Sequence, residues 1–362
     1  MEATYVYISE LTPGKVVAED IFANTKHSIL PKNTKINPEH LHVLKAFNIS
    51  RILVFKDVEI PAPLEINGRE EVIIDVPVPA TTPFIRHYEE SVSYLKKEFQ
   101  NWQAGARLDI TKVRHTMIPL IEVVLAERSH IFDLNSYSNP KDYLYHHCIA
   151  TGLICSVIVQ KLGYDKGTAI QMALAGILAD CGMAKIPARV RDKKTALSEQ
   201  EFLEIRKHPV YSYQMVKDLT ALKSDMKKAI YHHHERLDGS GYPEGNRDAN
   251  VLFYSQVIAV ADVFHAMTSE RLYRAKESPF RVIEMIKEEE FGKFDIKVVQ
   301  ALIDIVADLP IGTKVELSNT EHAEVMFINR YAPTRPLVKL YSTGEIIDLA
   351  TIRQIYIARI LT

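Results

Sequence analysis

Apolar residues recur at three- and four-residue spacing through most of residues 83–308, and at two-residue spacing towards both ends of the chain. "RHYEESVSYLKKEFQNW" and "TKVRHTMIPLIEVVLAE" read as amphipathic connecting helices. "HHCIATGLICSVIVQKLG" and "KGTAIQMALAGILADCG" are apolar around most of their circumference, which predicts buried helices. "SEQEFLEIRKHP" opens with a capping box, Ser198 with Glu201, and is expected to stop at Pro209. "SPFRVIEMIKEEE" starts with Ser278 as cap and Pro279 just inside.

The alternating stretches lie outside this block. "YVYISEL" and "SRILVF" read as strands around a helix, "NPEHLHVLKAF", opened by Asn37 and Pro38. A connector follows in which Pro61, Pro63, Pro77, Pro79 and Pro83 interrupt strand-like "EVIIDV". After Pro310, "TKVELSN", "EVMFINR", "PLVKLYS" and "GEIIDL" are short strands parted by Gly, Asn and Pro. The expected organisation is a small α/β unit over 1–58, a connector over 59–83, connecting helices over 84–139, a helical domain over 140–309 and a small β module over 310–362. The fold class is therefore mainly α.

Composition narrows the partners. A net charge of −2, with 47% hydrophobic and 25% charged residues, argues against broad electrostatic binding to nucleic acid or an anionic membrane. A local basic cluster could still hold a phosphorylated small molecule. No apolar run approaches the roughly 20 residues of a membrane span, so none is expected, and "MEATYVYISELTPG" lacks the pattern of a signal peptide. Cys148, Cys155 and Cys181 lie in apolar surroundings without CxxC spacing, which fits buried thiols in a reducing compartment. A cytoplasmic location is expected.

The candidate chemistry sits in the helical block. His147, Asp180, His208, His233, His234 and Asp262 are ligand-type side chains within or near the ends of predicted helices. Imidazole with carboxylate suits Fe, Mn, Zn or Ni better than Ca or Mg alone. A two-oxygen aspartate can bridge two cations, and such a pair polarises a phosphoryl oxygen and supplies hydroxide at neutral pH. Taken singly, each residue has an ordinary explanation. A buried histidine is commonly a core residue, and His208–Pro209 is a common helix end. "DGSGYP" makes a tight turn in any protein. His233 and His234 diverge by about 100° on a helix, so they share a site only near a helix end or with their rings turned inward. Asp262, inside "IAVADVFHAMTS", is the sharpest case, because a bare buried carboxylate is costly.

The joint order, with "HHERLDGSGYP" and "VADVFHAMTSERLYR", resembles the HD-GYP family of HD-type metal-dependent phosphohydrolases over roughly residues 140–300. The resemblance implies an HD-type helical bundle that holds divalent iron or manganese and hydrolyses cyclic di-GMP to pGpG or GMP. It implies metal ligation by His147, Asp180, His208, His233, His234 and Asp262, with Asp180 as the bridge that also positions hydroxide. Gly241, Tyr242 and Pro243 correspond to the loop near the substrate, a loop also linked to partner contacts. Arg271 and Arg274 resemble phosphate-binding residues, a role that suits the guanidinium fork. The implied partners are cyclic di-GMP or a related nucleotide and a GGDEF-type or other signalling protein. A homodimer through the apolar faces of residues 84–130 is a separate expectation from their amphipathicity.

"LADCGMAKIP" departs from the family, with Ala179 where its histidine belongs and Met183 where its lysine belongs. Alanine has no lone pair for a metal, and thioether sulfur is a poor ligand for hard cations. One metal position keeps only His147, Asp180 and Asp262, while the other, Asp180 with His208, His233 and His234, is complete. Two compensations are open. His265 could supply the missing imidazole, although a surface-directed side chain is the plainer expectation. Lys185 could reach the same phosphate, against its ordinary reading as a solvated loop lysine. Tyr143 stands where three-metal members carry glutamate, so one or two ions are expected, not three. The paired departures favour impaired or absent catalysis with retained nucleotide or partner binding; an active phosphodiesterase is the alternative.

Overall fold

The chain divides into two compact units, Met1–Val76 and Pro77–Thr362. The computed structural model describes residues 3–8, 11–12, 14–21, 30, 32, 34–36, 40–41, 44, 49, 51–55, 82–132, 134–137, 141–269, 277–289 and 292–361. In the first unit, β1 (Ala3–Tyr7) and β2 (Arg51–Phe55) pair antiparallel, with Tyr5 opposite Leu53. Ile52 and Val54 alternate inward along β2 and pack with Val17, Ile36 and Leu44. Asn37, Pro38 and the "EVIIDV" stretch fall outside the described residues.

The second unit begins with α1 (Pro83–Gln103), where the Thr82 hydroxyl accepts from the Ile85 N–H and Pro83 occupies the first turn. Phe84, Tyr88, Leu95, Phe99 and Trp102 form one buried stripe along it. In α2 (Ile110–Ala126) the Asp109 carboxylate caps Thr111 and Lys112, and Val113, Met117, Leu120 and Val124 turn inward. Both stripes belong to the unit's own hydrophobic core.

Helices α3 (Tyr143–Lys161) and α4 (Lys166–Leu178) form the centre of that core. Contrary to the expectation that no apolar run approaches a membrane span, Tyr143–Lys161 and Lys166–Lys185 have the length and mean hydropathy (1.2 and 1.3) of membrane-crossing helices. In this fold 78% of each of these windows is buried against the rest of the chain. The two helices cross at a pair of glycines. A Cβ at Gly176 would stand 2.7 Å from the Gly152 Cα, nearer than packed atoms can sit. Gly176→Ala is expected to lower stability by about 1–3 kcal/mol, the usual cost of overpacking, measured as a shifted midpoint in urea. An unchanged midpoint would mean the crossing has slack.

The capping box at Ser198 and Glu201 opens α5 (Glu199–Ile205). Pro209, expected as a helix stop, instead sits in the first turn of α6 (His208–Val216). The physical reason is that a first-turn residue needs no N–H, so proline starts a helix there as readily as it ends one. α7 (Ser224–Tyr231), α8 (Phe253–Thr268), α9 (Pro279–Glu289) and α10 (Ile296–Val306) follow. The last residues form an antiparallel sheet of β3 (Lys314–Leu317), β4 (His322–Phe327), β5 (Leu337–Leu340), β6 (Ile346–Asp348) and β7 (Ile357–Ile360), in the order β6-β5-β4-β3-β7. The final strand was not anticipated from the sequence. Arg335 joins this sheet to α9 by a two-pronged bond to Glu284, at 2.7 and 2.6 Å. The architecture is the expected one, mainly helical with small β modules.

Candidate metal centre

Three helix ends and two helix interiors converge on one point of the second unit. His147 lies one turn into α3, and Asp180 stands two residues beyond the end of α4. His208 is the first residue of α6. α7 stops at Tyr231, and His232 is its C-cap. His233 and His234 therefore follow the helix end, which frees consecutive imidazoles to face one site. Asp262 comes from the middle of α8. Gly182 allows α6 to approach the turn after Asp180, because a Cβ there would strike the His208 carbonyl and the Ser212 backbone. The Ser212 hydroxyl ties the same turn down, donating to the Ala179 carbonyl (2.6 Å) and accepting from the Gly182 N–H (2.8 Å).

Donor atoms of Asp180, His208, His233 and His234 lie within 4.8 Å of one another, as do those of His147, Asp180 and Asp262. Asp180 belongs to both groups. Its Oδ1 is 3.0 Å from His208 Nε2 and 3.7 Å from His233 Nε2, while its Oδ2 is 3.7 Å from His147 Nε2. His147 Nε2 also meets Asp262 Oδ1 at 2.8 Å. Burial pushes the Asp180 carboxyl up, but the imidazoles of His208 and His233 more than offset this and hold it well below the usual carboxylate range. Asp262 follows the same logic: burial raises it, His147 outweighs burial, and the net shift is downward. His234 is held well below the ordinary histidine value by burial and then by His233 and His208, which favours its neutral form.

The donor set fits a divalent cation. His208 Nδ1 and His233 Nδ1 each donate to a backbone carbonyl, of Ile205 and Ile230, at 2.7 Å. A carbonyl cannot donate, so both Nδ1 atoms carry the proton and both Nε2 atoms are turned to the site. His208 Nε2 then stands 3.3 Å from His233 Nε2 and 3.2 Å from His234 Nε2. Ring nitrogens facing one another beside a carboxylate are relieved by a shared cation. The second group offers one imidazole and two carboxylates. Ala179, 3% exposed, adds nothing to it.

The remaining predicted residues fall in different places. Gly241 packs directly onto the backbone of residues 234–236, where a Cβ would come within 2.5 Å of Arg236 N and Glu235 Cα. Tyr242 donates its N–H to the His234 carbonyl, and its ring stacks on the His234 imidazole at 4.6 Å. Pro243 follows in the same half-buried loop. Arg271 and Arg274 lie outside the described residues. Lys185 donates to the Trp102 carbonyl at the end of α1 (2.7 Å) and is not a purely solvated lysine. Met183 is half-buried against the core.

His265 corrects an expectation. It is 1% exposed, not surface-directed, and its Nδ1 contacts His147 Nδ1 at 2.9 Å. That contact is on the ring edge of His147 opposite to the one facing Asp262. α8 turns this face inward, one turn on from Asp262, so His265 backs His147. Its Nε2 meets the Ser269 hydroxyl (3.1 Å), and the Tyr143 hydroxyl approaches His147 Nδ1 from beside it (3.2 Å). Such backing groups fix a ligand's tautomer. His265→Ala is expected to weaken cation binding at the His147 group about 10–100-fold, read by metal titration of the purified variant. Equal binding would show that His147 needs no support.

Glu235 is a residue the sequence reading passed over. It is fully buried, and its carboxylate accepts the N–H groups of Glu244 (2.7 Å), Gly245 (3.1 Å) and Asn246 (3.0 Å). One carboxylate therefore gathers the chain just beyond Gly241–Pro243. Its acidic neighbour position to the histidines was the available signal. Glu235→Ala leaves three N–H groups without their acceptor, and an expected cost of about 3 kcal/mol or more follows. Thermal unfolding measures it; a loss below about 1 kcal/mol, the level of an ordinary exposed contact, would contradict it.

An HD-domain family model matches residues 123–298. A cyclic di-GMP phosphodiesterase of Borreliella burgdorferi is 27% identical over 208 residues, covering 56% of this chain and 54% of that protein. A cyclic di-GMP phosphodiesterase of Pseudomonas aeruginosa is 26% identical, covering 68% and 59%. A 3'3'-cGAMP-specific phosphodiesterase of Vibrio cholerae is 32% identical, covering 44% and 37%. The chain thus spans about half the length of the first two curated relatives. A solved HDG"Y"P protein from Bdellovibrio bacteriovorus shares the fold, with a TM-score of 0.51 at 16% identity over 84% of this chain and 99% of that one. Residues 123–298 of this chain therefore match the HD-domain family, and the ordered histidines and aspartates with the Gly-Tyr-Pro loop resemble its HD-GYP branch.

Proposed function

We propose that this chain is a cyclic di-GMP signalling protein that binds the nucleotide at an HD-GYP site with two unequal cation positions, and that hydrolyses it slowly or not at all. The observation that carries the reading is the imbalance between the groups around Asp180. Asp180 with three imidazoles forms a full set of donors, two of them locked in the right tautomer by carbonyls. The group of His147, Asp180 and Asp262 lacks the imidazole that Ala179 cannot supply. His265 supports His147 from behind without filling the gap.

Bound iron or manganese would polarise a phosphoryl oxygen and lower the pKa of a water. The chain's own residues do the rest. Asp180 holds two oxygens between the groups, and its depressed pKa keeps it an anion. His234 and Tyr242 stack to form a flat wall beside the site. The turn at Met183 presents a thioether where the family has an ammonium, so charge developing on a phosphate loses a donor of a kind typically worth about 10²–10³ in rate.

The test loads the purified chain anaerobically with Fe(II) or Mn(II) and measures cyclic di-GMP binding and turnover in the same sample. Binding with turnover far below that of an HD-GYP protein with an intact His-Asp motif supports the reading. Turnover as fast as such a protein refutes it. An active phosphodiesterase is the second reading, favoured by the Asp180 oxygens serving both groups. Three protein donors with an open position is also the pattern of catalytic sites. Fast turnover lost in His233→Ala would establish it.

A further inference from the structure

A guanidinium sits beside this centre with no assigned role. Arg206 caps the end of α5 and is half-buried. It lies two residues before His208, whose Nδ1 donates to the carbonyl of Ile205. Its Cζ lies 4.5 Å from the centroid of the Tyr242 ring, which itself stacks on His234 at 4.6 Å and an interplanar angle of 27°. Imidazole, phenol and guanidinium thus form a continuous stack running outward from the candidate metal ligands.

The guanidinium carbon stands over the Tyr242 ring, and no hydrogen bond among the described residues engages its N–H groups. Ring contacts to Tyr242 and, at 6.0 Å, Phe202 are the interactions of this side chain, and its N–H groups have no protein acceptor among the described residues. Nearby charges are already committed. Glu204 pairs with Lys207. Arg236, another cation near Tyr242, donates to the carbonyls of His233 and Glu235 and lies over Phe294. A guanidinium held over a ring with its N–H groups uncommitted keeps a planar fork of donors, the geometry that grips a phosphate through two oxygens.

We propose that Arg206 anchors a phosphate of the bound nucleotide at the rim of the metal centre, held in place by Tyr242. The inference rests on the cyclic-dinucleotide reading above and adds a specific residue to it. Because Met183 leaves the pocket without the family's lysine, Arg206 would be a main cationic contact to the ligand on this side. It is a binding residue whose ring partner also positions it.

The test compares the wild-type chain, Arg206→Ala and Arg206→Lys by calorimetric titration with cyclic di-GMP and with inorganic phosphate, alongside metal content and thermal unfolding. Arg206→Ala should weaken nucleotide binding about 10–100-fold, the worth of a charge-assisted pair. Metal content and melting temperature should stay as in wild type, and Arg206→Lys should recover part of the affinity. Wild-type affinity in Arg206→Ala would overturn the proposal. So would an equal loss of metal and of thermal stability, which would make Arg206 a clamp on the loop. Arg206-dependent phosphate binding without cyclic di-GMP binding would keep the anchor and retire the nucleotide reading. Binding of neither ligand by wild type would overturn both.

Discussion

Ala179→His combined with Met183→Lys is expected to raise cyclic di-GMP turnover by about 10²-fold or more. The expectation follows from what the two side chains withhold. Ala179 adjoins Asp180 and is buried at the edge of the site, so an imidazole there would join His147, Asp180 and Asp262 as the missing donor. Met183 lies in the turn Cys181–Lys185 that follows Asp180 and is only half-buried, so a lysine there can extend without entering the core. One preorganised donor to a developing oxyanion is typically worth about 10²–10³ in rate, and completing a two-cation clamp adds to that. A buried imidazole carries some risk of overpacking, so Met183→Lys alone is the companion variant, and thermal unfolding verifies that each is folded. Turnover unchanged in both would mean that neither residue limits the chemistry.

Asp180→Asn is expected to have the opposite and larger effect, removing cation binding at both positions together. Asp180 offers Oδ1 to His208 and His233 and Oδ2 to His147, so it is the one side chain common to the two groups. An amide keeps the shape and loses the charge. Second-layer changes already cost 10–100-fold in metal affinity, and loss of a shared anionic donor exceeds that. The linked readout is thermal. A metal present at a hundredfold its Kd stabilises the folded state by about 2.7 kcal/mol, so a chelator should lower the melting temperature of wild type and leave Asp180→Asn unmoved. A variant that still melts lower on chelation would place the cation elsewhere.

Much of this was readable from the chain because it depends on neighbours in sequence. The stripe of Phe84, Tyr88, Leu95, Phe99 and Trp102 follows helical periodicity, and the capping box at Ser198 and Glu201 is a local bond. Helix geometry left His233 and His234 two ways to share a site, a helix end or rings turned inward, and α7 ends at Tyr231 just before them. What was missed depends on neighbours in space. His265 looked surface-directed because three-residue spacing from Asp262 says which face it shares, not that α3 packs His147 against that face. Pro209 looked like a stop because proline is punctuation in either direction. Glu235 and Arg206 carry no periodic signal: one is defined by three backbone N–H groups nine to eleven residues away, the other by a ring 36 positions later.

The imbalance of the two cation positions is tested most directly by titrating the apo protein anaerobically with Mn(II) and following bound metal, beside His233→Ala. The account predicts one tight equivalent that disappears in His233→Ala and a second that binds much more weakly. Two equivalents of equal affinity in wild type would contradict it, because the group holding Ala179 would then be as complete as the group holding His208, His233 and His234.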